Sequence, residues 1–291
     1  MRRRIVAGVD GSPSSTAAVE WAAADARRRG LPLRIVHVCE QWSQGVEGSR
    51  YCAGALEAAA ARARELGGDV EVSAELLAGN VIEALADESA AADSLVLGSR
   101  GMGGFAGMVL GSVGMAVAGH AAGTVVIVRG AADARHGLVV VGHDGSEGSQ
   151  AAMAYAVEQA RTRSARLHVV YAWQPPVVSP YWAAYSRLLA DSYEEEQRMA
   201  RARVTPWRGA NPDIVITDEQ VHGHPVAALT EASAMADLVV LGSRGLGGFS
   251  SAVLGSVSHG VLHHAHCPVA VVRPRGPVID GRDAAGRSGP G

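Results

Sequence analysis

The sequence lacks the features that would mark a membrane, secreted or nucleic-acid-binding protein. It holds no apolar run long enough to cross a bilayer, and three arginines lead straight into an apolar stretch at Ile5 without a signal-peptide core. A cytoplasmic protein with no membrane partner is therefore expected. Cysteine is scarce: Cys39, Cys52 and Cys267 form neither an even set nor a metal-like spacing, so reduced, mostly buried thiols are expected. An excess of one charge is missing too. The net charge of −3 arises from 26 basic and 29 acidic residues that are interspersed, which excludes a nucleic-acid footprint. Arg2-Arg3-Arg4 and Arg27-Arg28-Arg29 are short and read as a solvated face or a helix C-terminus.

What the chain does have is a repeat. Val96 to Val113, VLGSRGMGGFAGMVLGSV, returns at Val240 to Val257 as VLGSRGLGGFSSAVLGSV, with 14 of 18 positions identical. Gly8-Val-Asp10-Gly-Ser12 likewise returns as Gly142-His-Asp144-Gly-Ser146. With 291 residues, two domains of ordinary size are expected, at 1–130 and 136–275, followed by a disordered tail at 276–291 that has little to bury. The aspartates are offset by 144 − 10 = 134 and the loops by 245 − 101 = 144. Ten extra residues therefore enter the second copy, and the Pro- and Tyr-rich stretch Gln174 to Tyr185 is where they are expected.

Each copy alternates strands and helices. In the first, strands are expected at Ile5 to Val9, Leu33 to Val38, Val70 to Leu77, up to Gly98, and at Thr124 to Arg129. Helices lie between them: one capped by Ser12 and Pro13 and ending near Gly30, then Tyr51 to Leu66, Val81 to Ala92 and Ser112 to His120. The second copy repeats the pattern, with a helix at Arg187 to Ala202. Such alternation predicts an α/β fold with a doubly wound parallel sheet in each half.

The repeated stretch has a chemical reading. Gly98, two residues, Gly101, nine residues, then Gly111-Ser112 runs from a strand end to a helix start; Gly242, Gly245 and Gly255-Ser256 repeat it. Glycines admit a ligand close to the backbone, and the N–H groups of a helix N-terminus favour phosphate. Ser112 and Ser256 are placed to cap that helix or bond a phosphate oxygen, and Arg100 and Arg244 to add a charged donor. The P-loop Lys-Ser/Thr and the Rossmann glycine triplet are both absent.

This spacing, duplicated and set late in a β/α unit, resembles the nucleotide-binding signature of the universal stress protein family, and the resemblance covers nearly the whole chain. It implies two five-stranded parallel sheets of the adenine nucleotide alpha hydrolase-like kind, in strand order 3-2-1-4-5, whose fifth strands pair across a two-fold interface. It also implies one ATP with Mg²⁺ per half. The contacts it implies are Gly8, Asp10, Val38, Gly98, Ser99, Arg100, Gly101, Met102, Gly103, Gly104, Gly111, Ser112 and Val113 in the first half. In the second they are Gly142, Asp144, Ala172, Gly242, Ser243, Arg244, Gly245, Leu246, Gly247, Gly248, Gly255, Ser256 and Val257. Val38 and Ala172 would offer main chain to the adenine edge.

The resemblance implies an ATP-binding stress-response regulator or sensor, with pairing of two tandem chains and a regulatory protein partner. Two alternatives stay open: a slow ATP hydrolase or ATP-dependent transferase, for which no repeated base is found, and a nucleotide-free dimerisation module. His259, His263, His264 and His266 invite a metal reading, but the first copy has Met115, Gly119, His120 and Ala122 in register, so a polar or half-buried helix face is expected.

Overall fold

The computed structural model describes residues 3–40, 46–102, 110–129, 135–173, 186–246 and 254–274. The first half runs β1 (Ile5–Gly8), α1 (Pro13–Arg29), β2 (Leu33–Cys39), α2 (Val46–Gly67), β3 (Val72–Ala78), α3 (Val81–Ala91), β4 (Ser94–Gly98), α4 (Ser112–His120) and β5 (Thr124–Val128). The second runs β6 (Leu138–Gly142), α5 (Glu147–Arg163), β7 (Arg166–Trp173), α6 (Ser186–Ala210), β8 (Ile216–His222), α7 (Pro225–Ser233), β9 (Leu238–Gly242), α8 (Ser256–His264) and β10 (Val269–Val272). Local chemistry sets the ends of α1: the Ser12 hydroxyl accepts from Ser15 N–H, Pro13 fills the first position, and Gly30 closes the helix in a left-handed conformation at φ 61°.

Each half has the expected order 3-2-1-4-5, all parallel, and the two halves form one ten-stranded sheet, β3-β2-β1-β4-β5-β10-β9-β6-β7-β8. The single antiparallel junction among the described residues joins β5 to β10, with Val126 opposite Ala270. Central strands such as β1 (IVAG) and β5 (TVVIV) are buried throughout because helices cover both faces. One layer of core packs α1, α2, α5 and α6 on the sheet, the other α3, α4, α7 and α8. The outer strands are β3, mostly exposed, and β8, half-buried to exposed after Ile216; they carry Glu75, Asp218 and Glu219, which discourages further pairing at the edges.

Two helices are longer than expected. α2 starts five residues before Tyr51, and α6 continues past Ala202 through Pro206. Val204 and Trp207 pack on the core on either side of that proline, and this contact offsets the hydrogen bond it forfeits. The stretch from Gln174 to Tyr185, where the ten extra residues are expected, lies outside the described residues, as do residues 130–134 and the tail; α6, at 25 residues against 22 in α2, takes up three of the ten.

The halves also meet through α1 and α5. Asp25, fully buried, takes Arg29 at 3.3 Å and Arg163 at 3.2 Å, and accepts from Gln159 Nε2 at 3.2 Å. Arg29 stacks over Tyr155 and Arg163 over Trp21, so each half's arginine covers the other half's aromatic ring. At the sheet's centre Arg129 donates to Leu262 O at the end of α8, and Arg273 to Ala118 O and Gly119 O at the end of α4. Each half thus caps a helix C-terminus of the other.

Candidate functional site

The strand order places β1 beside β4, and β6 beside β9, at the points where the winding reverses direction. A cleft opens at the C-terminal ends of each pair, of about 510 Å³ in the first half and 680 Å³ in the second. Its frame is an aspartate. Asp10 Oδ1 accepts from Ser12 N–H at 3.0 Å and Oδ2 from Met102 N–H at 2.9 Å. Asp144 repeats this with Ser146 N–H at 3.0 Å and Leu246 N–H at 3.1 Å. Each carboxylate therefore ties the turn after the first strand to the glycine loop across the cleft.

Burial acts to raise both carboxyls, but the hydrogen bonds from Ser12 and Met102, and from Ser146 and Leu246, together outweigh it and hold both below the ordinary value. The same contact explains the middle glycines. A Cβ on Gly101 would stand 2.7 Å from Asp10 Oδ2, and one on Gly245 2.5 Å from Asp144 Oδ2. Only hydrogen fits there.

Gly111 and Gly255 are the N-caps of α4 and α8, and neither helix has a side-chain cap among the described residues. Of the two roles expected for Ser112 and Ser256, capping the helix or bonding a phosphate oxygen, the first does not hold: they are the first helical residues, and their hydroxyls are not placed for a cap. Both serines line the clefts, and the uncapped amide groups beside them form a partly positive end at the cleft wall.

Gly8, Val38, Gly98, Arg100, Gly101, Met102, Gly111 and Val113 line the first cleft, and Gly142, Ala172, Gly242, Arg244, Gly245, Leu246, Gly255 and Val257 the second. Ser99 and Ser243, expected among the ligand contacts, do not line them. They are buried beneath the loops, where each N–H bonds a strand carbonyl, Val128 O at 3.0 Å and Val272 O at 2.8 Å. The Ser99 and Ser243 carbonyls in turn accept from the N–H groups of the N-cap glycines, Gly111 and Gly255, at 2.8 Å. Their role is to fix the loop from below. Gly103, Gly104, Gly247 and Gly248 lie outside the described residues.

The repeat could not reveal side chains that differ between halves. His37, Tyr51 and Cys52 line the first cleft; His143, Tyr171 and Pro225 line the second. Tyr51 donates to Asp10 O at 2.7 Å. Burial is the first cause lowering both His37 and His143, opposed by Asp10 and Asp144 respectively.

The expectation of three reduced thiols is corrected. Cys39 and Cys52 form a disulfide, with their Cα atoms 6.4 Å apart, while Cys267 is a buried thiol. They stand thirteen positions apart, and it is the packing of α2 on β2, not sequence spacing, that brings them together. At the far helix, the rings of His259 and His263 lie 4.8 Å apart on α8.

The family model described as Universal stress protein family matches residues 1–129 and again 137–273. Universal stress protein Rv1996 of Mycobacterium tuberculosis is 37% identical over 94% of this chain and 96% of its own. A universal stress protein of Mycolicibacterium smegmatis is 33% identical over 93% and 97%. A universal stress protein of Archaeoglobus fulgidus, at 21% identity, shares the fold with a TM-score of 0.69, covering 93% of this chain and 96% of that one. The two framed clefts therefore sit in two fused copies of one domain, and the chain belongs to the universal stress protein family, in its tandem form.

Proposed function

We propose that each half binds one ATP with Mg²⁺, and that the protein serves as a nucleotide-dependent regulator or sensor in a cytoplasmic stress response. The observation that carries this reading is the uncapped N-terminus of α4 and of α8, opening on a cleft whose glycine loop an aspartate holds in place. Phosphate suits those amides, and Arg100 and Arg244 at the same walls suit its charge. The apolar ends of the clefts, beside Val38 and Ala172, suit a base. Phosphate oxygens and water hold the metal, whose coordination needs few protein ligands. Two tandem chains pair, and a second protein reads the bound nucleotide.

The test is to purify the chain without added nucleotide, denature it and quantify what is released, beside a Gly101→Ala, Gly245→Ala double variant. Near-stoichiometric ATP, lost in the variant, is expected. The two arginines favour slow hydrolysis as a second reading, and release of mostly ADP would move weight to it. No nucleotide and no uptake of Mg·ATP would sink the assignment and leave a dimerisation module.

A further inference from the structure

Alternation along β2 places His37 and Cys39 on the same face of the sheet as Leu33 and Ile35, the face that α2 covers. Cys52, in the second turn of α2, comes down onto them. One ring nitrogen of His37 and the sulfurs of Cys39 and Cys52 all lie within 4.8 Å of one another, the one such group of three among the described residues. His37 is 6% exposed, and its Nδ1 is buried with no hydrogen-bond partner among the described residues. The disulfide satisfies the sulfurs and leaves that nitrogen unexplained. In register in the second half stand Tyr171 and Trp173, so nothing there repeats the set.

We propose that the reduced chain binds one Zn²⁺ through His37, Cys39 and Cys52, with a fourth, exchangeable position facing the first cleft. Two thiolates and an imidazole are the soft and borderline donors that this ion takes, and three protein ligands leave one position open. His37 and Cys52 line the cleft, which supplies the direction of that opening. Reduction comes first: a dithiol gives two electrons and two protons to the Cys39–Cys52 bond, becoming a disulfide itself, and the two thiols then lose their protons as the metal binds. Oxidation by the reverse exchange expels the ion. The site is therefore governed by thiol redox state and present in one half alone. It does not depend on nucleotide binding.

The experiment uses the full-length chain, reduced anaerobically with dithiothreitol and freed of reductant by gel filtration, then titrated with Co²⁺ and with Zn²⁺ against a chromophoric chelator. One Co²⁺ per chain is expected, with thiolate-to-cobalt charge-transfer absorption and the bands of a four-coordinate ion, displaced by Zn²⁺. Cys39→Ser and Cys52→Ser should lose the charge-transfer band. His37→Ala should weaken binding by at least the roughly 10–100-fold that loss of an outer-shell partner costs. Burial pushes the Cys267 thiol up to about 12, so Cys267→Ser should change nothing. Re-oxidised wild-type chain, which needs no substitution to fold, should take up none. Absence of the band in the reduced chain, its survival in either of the first two serine variants, its loss in Cys267→Ser or its persistence after oxidation would each overturn the proposal.

Discussion

Asp10 and Asp144 hold their loops with the same pair of bonds, whereas the strands beside them carry His37 and Cys39 in one half and Tyr171 and Trp173 in the other. The helices that close the clefts differ as well. Tyr51 of α2 crowds Gly11 in the first half, where Arg203 of α6 crowds Gly145 in the second. What the halves share is the set of contacts that shape the backbone of the loop; what they do not share is the chemistry of the walls. A duplicated fold can thus keep one kind of cleft twice while the surroundings of each diverge.

The interface between halves shows the same divergence and gives the largest expected effect. Residues offset by 134 face each other across α1 and α5: Trp21 and Tyr155, Arg29 and Arg163, but Asp25 and Gln159. Arg29 also reaches Glu158 at 2.8 Å and Asp93 at 2.7 Å, and its pKa is raised although burial alone would lower it. Burial lowers the pKa of Arg163, whose guanidinium meets Asp25 at 3.2 Å. Asp25→Ala leaves buried guanidinium groups underpaired and should cost about 3–5 kcal/mol. Gln159→Ala removes an uncharged partner from one bond to the Asp25 carboxylate and one from the Arg163 guanidinium, and should cost about 1.5–3 kcal/mol. Urea unfolding of both variants, with slopes compared, checks the ratio; equal losses would show that the charge at Asp25 does not distinguish the positions.

Much of this was legible beforehand, for physical reasons that vary by element. Strands buried on both faces read as continuous apolar runs, and Ser12-Pro13 and Gly30 carry their cap chemistry in residue type, so α1 was readable at both ends. Gly101 and Gly245 were readable as loop glycines, but the reason for them, the nearby aspartate oxygen, is a contact across 91 residues of chain (101 − 10). That Ser99 and Ser243 lie beneath the loops and not on the cleft walls was not legible, because repetition marks structural and ligand-facing residues alike. The disulfide was missed because its partners belong to a strand and a helix whose facing is decided by packing. The expected end of α6 at Ala202 fell short because the core contacts of Val204 and Trp207 that carry the helix through Pro206 are not local to the sequence.

The shared frame can be broken one half at a time. Asp10→Ala and Asp144→Ala should each cost about 1.5–3 kcal/mol, since each removes bonds to a charged acceptor, and the two losses should match. Both native carboxyls titrate below their unfolded value, so the unfolded chain binds more protons in that window. Their stabilisation is complete above roughly pH 4 and is lost as pH falls through the depressed native values. Thermal unfolding across acid pH should lose part of its slope in either variant. In parallel, Gly101→Ala and Gly245→Ala taken singly should each halve the released nucleotide; loss of all of it from one single variant would mean that the halves do not bind independently.

His143 sharpens the contrast, because Val9 occupies the matching position in the first half. It is buried at 4% exposure, with Asp144 acting to raise it, Arg203 to lower it and Gln150 bonding it, and burial prevails so that it titrates below the ordinary histidine value. The unfolded chain then binds the extra proton first, so the contribution is present above roughly pH 6.5 and declines below it. His143→Val should flatten stability against pH between roughly 5 and 7, read by chemical unfolding at a series of pH values. An unchanged curve would mean that the imidazole is charged in the native state.

The smallest effect tests the part of the molecule where the halves agree most closely. Arg129 and Arg273 leave the ends of the two paired strands and cap α8 and α4 across the junction, so Arg129→Gln and Arg273→Gln should each cost about 0.3–1 kcal/mol. Equal values in unfolding would mark the junction as still two-fold, in contrast to the clefts and to Asp25. Those helices begin at the clefts with uncapped amides and end at the junction under the other half's arginine. A change that loosens one cap therefore acts on the helix whose far end lines a cleft, and nucleotide released from Arg273→Gln should fall from the first half before the second. Equal retention in both halves would confine the arginines to holding the sheet together.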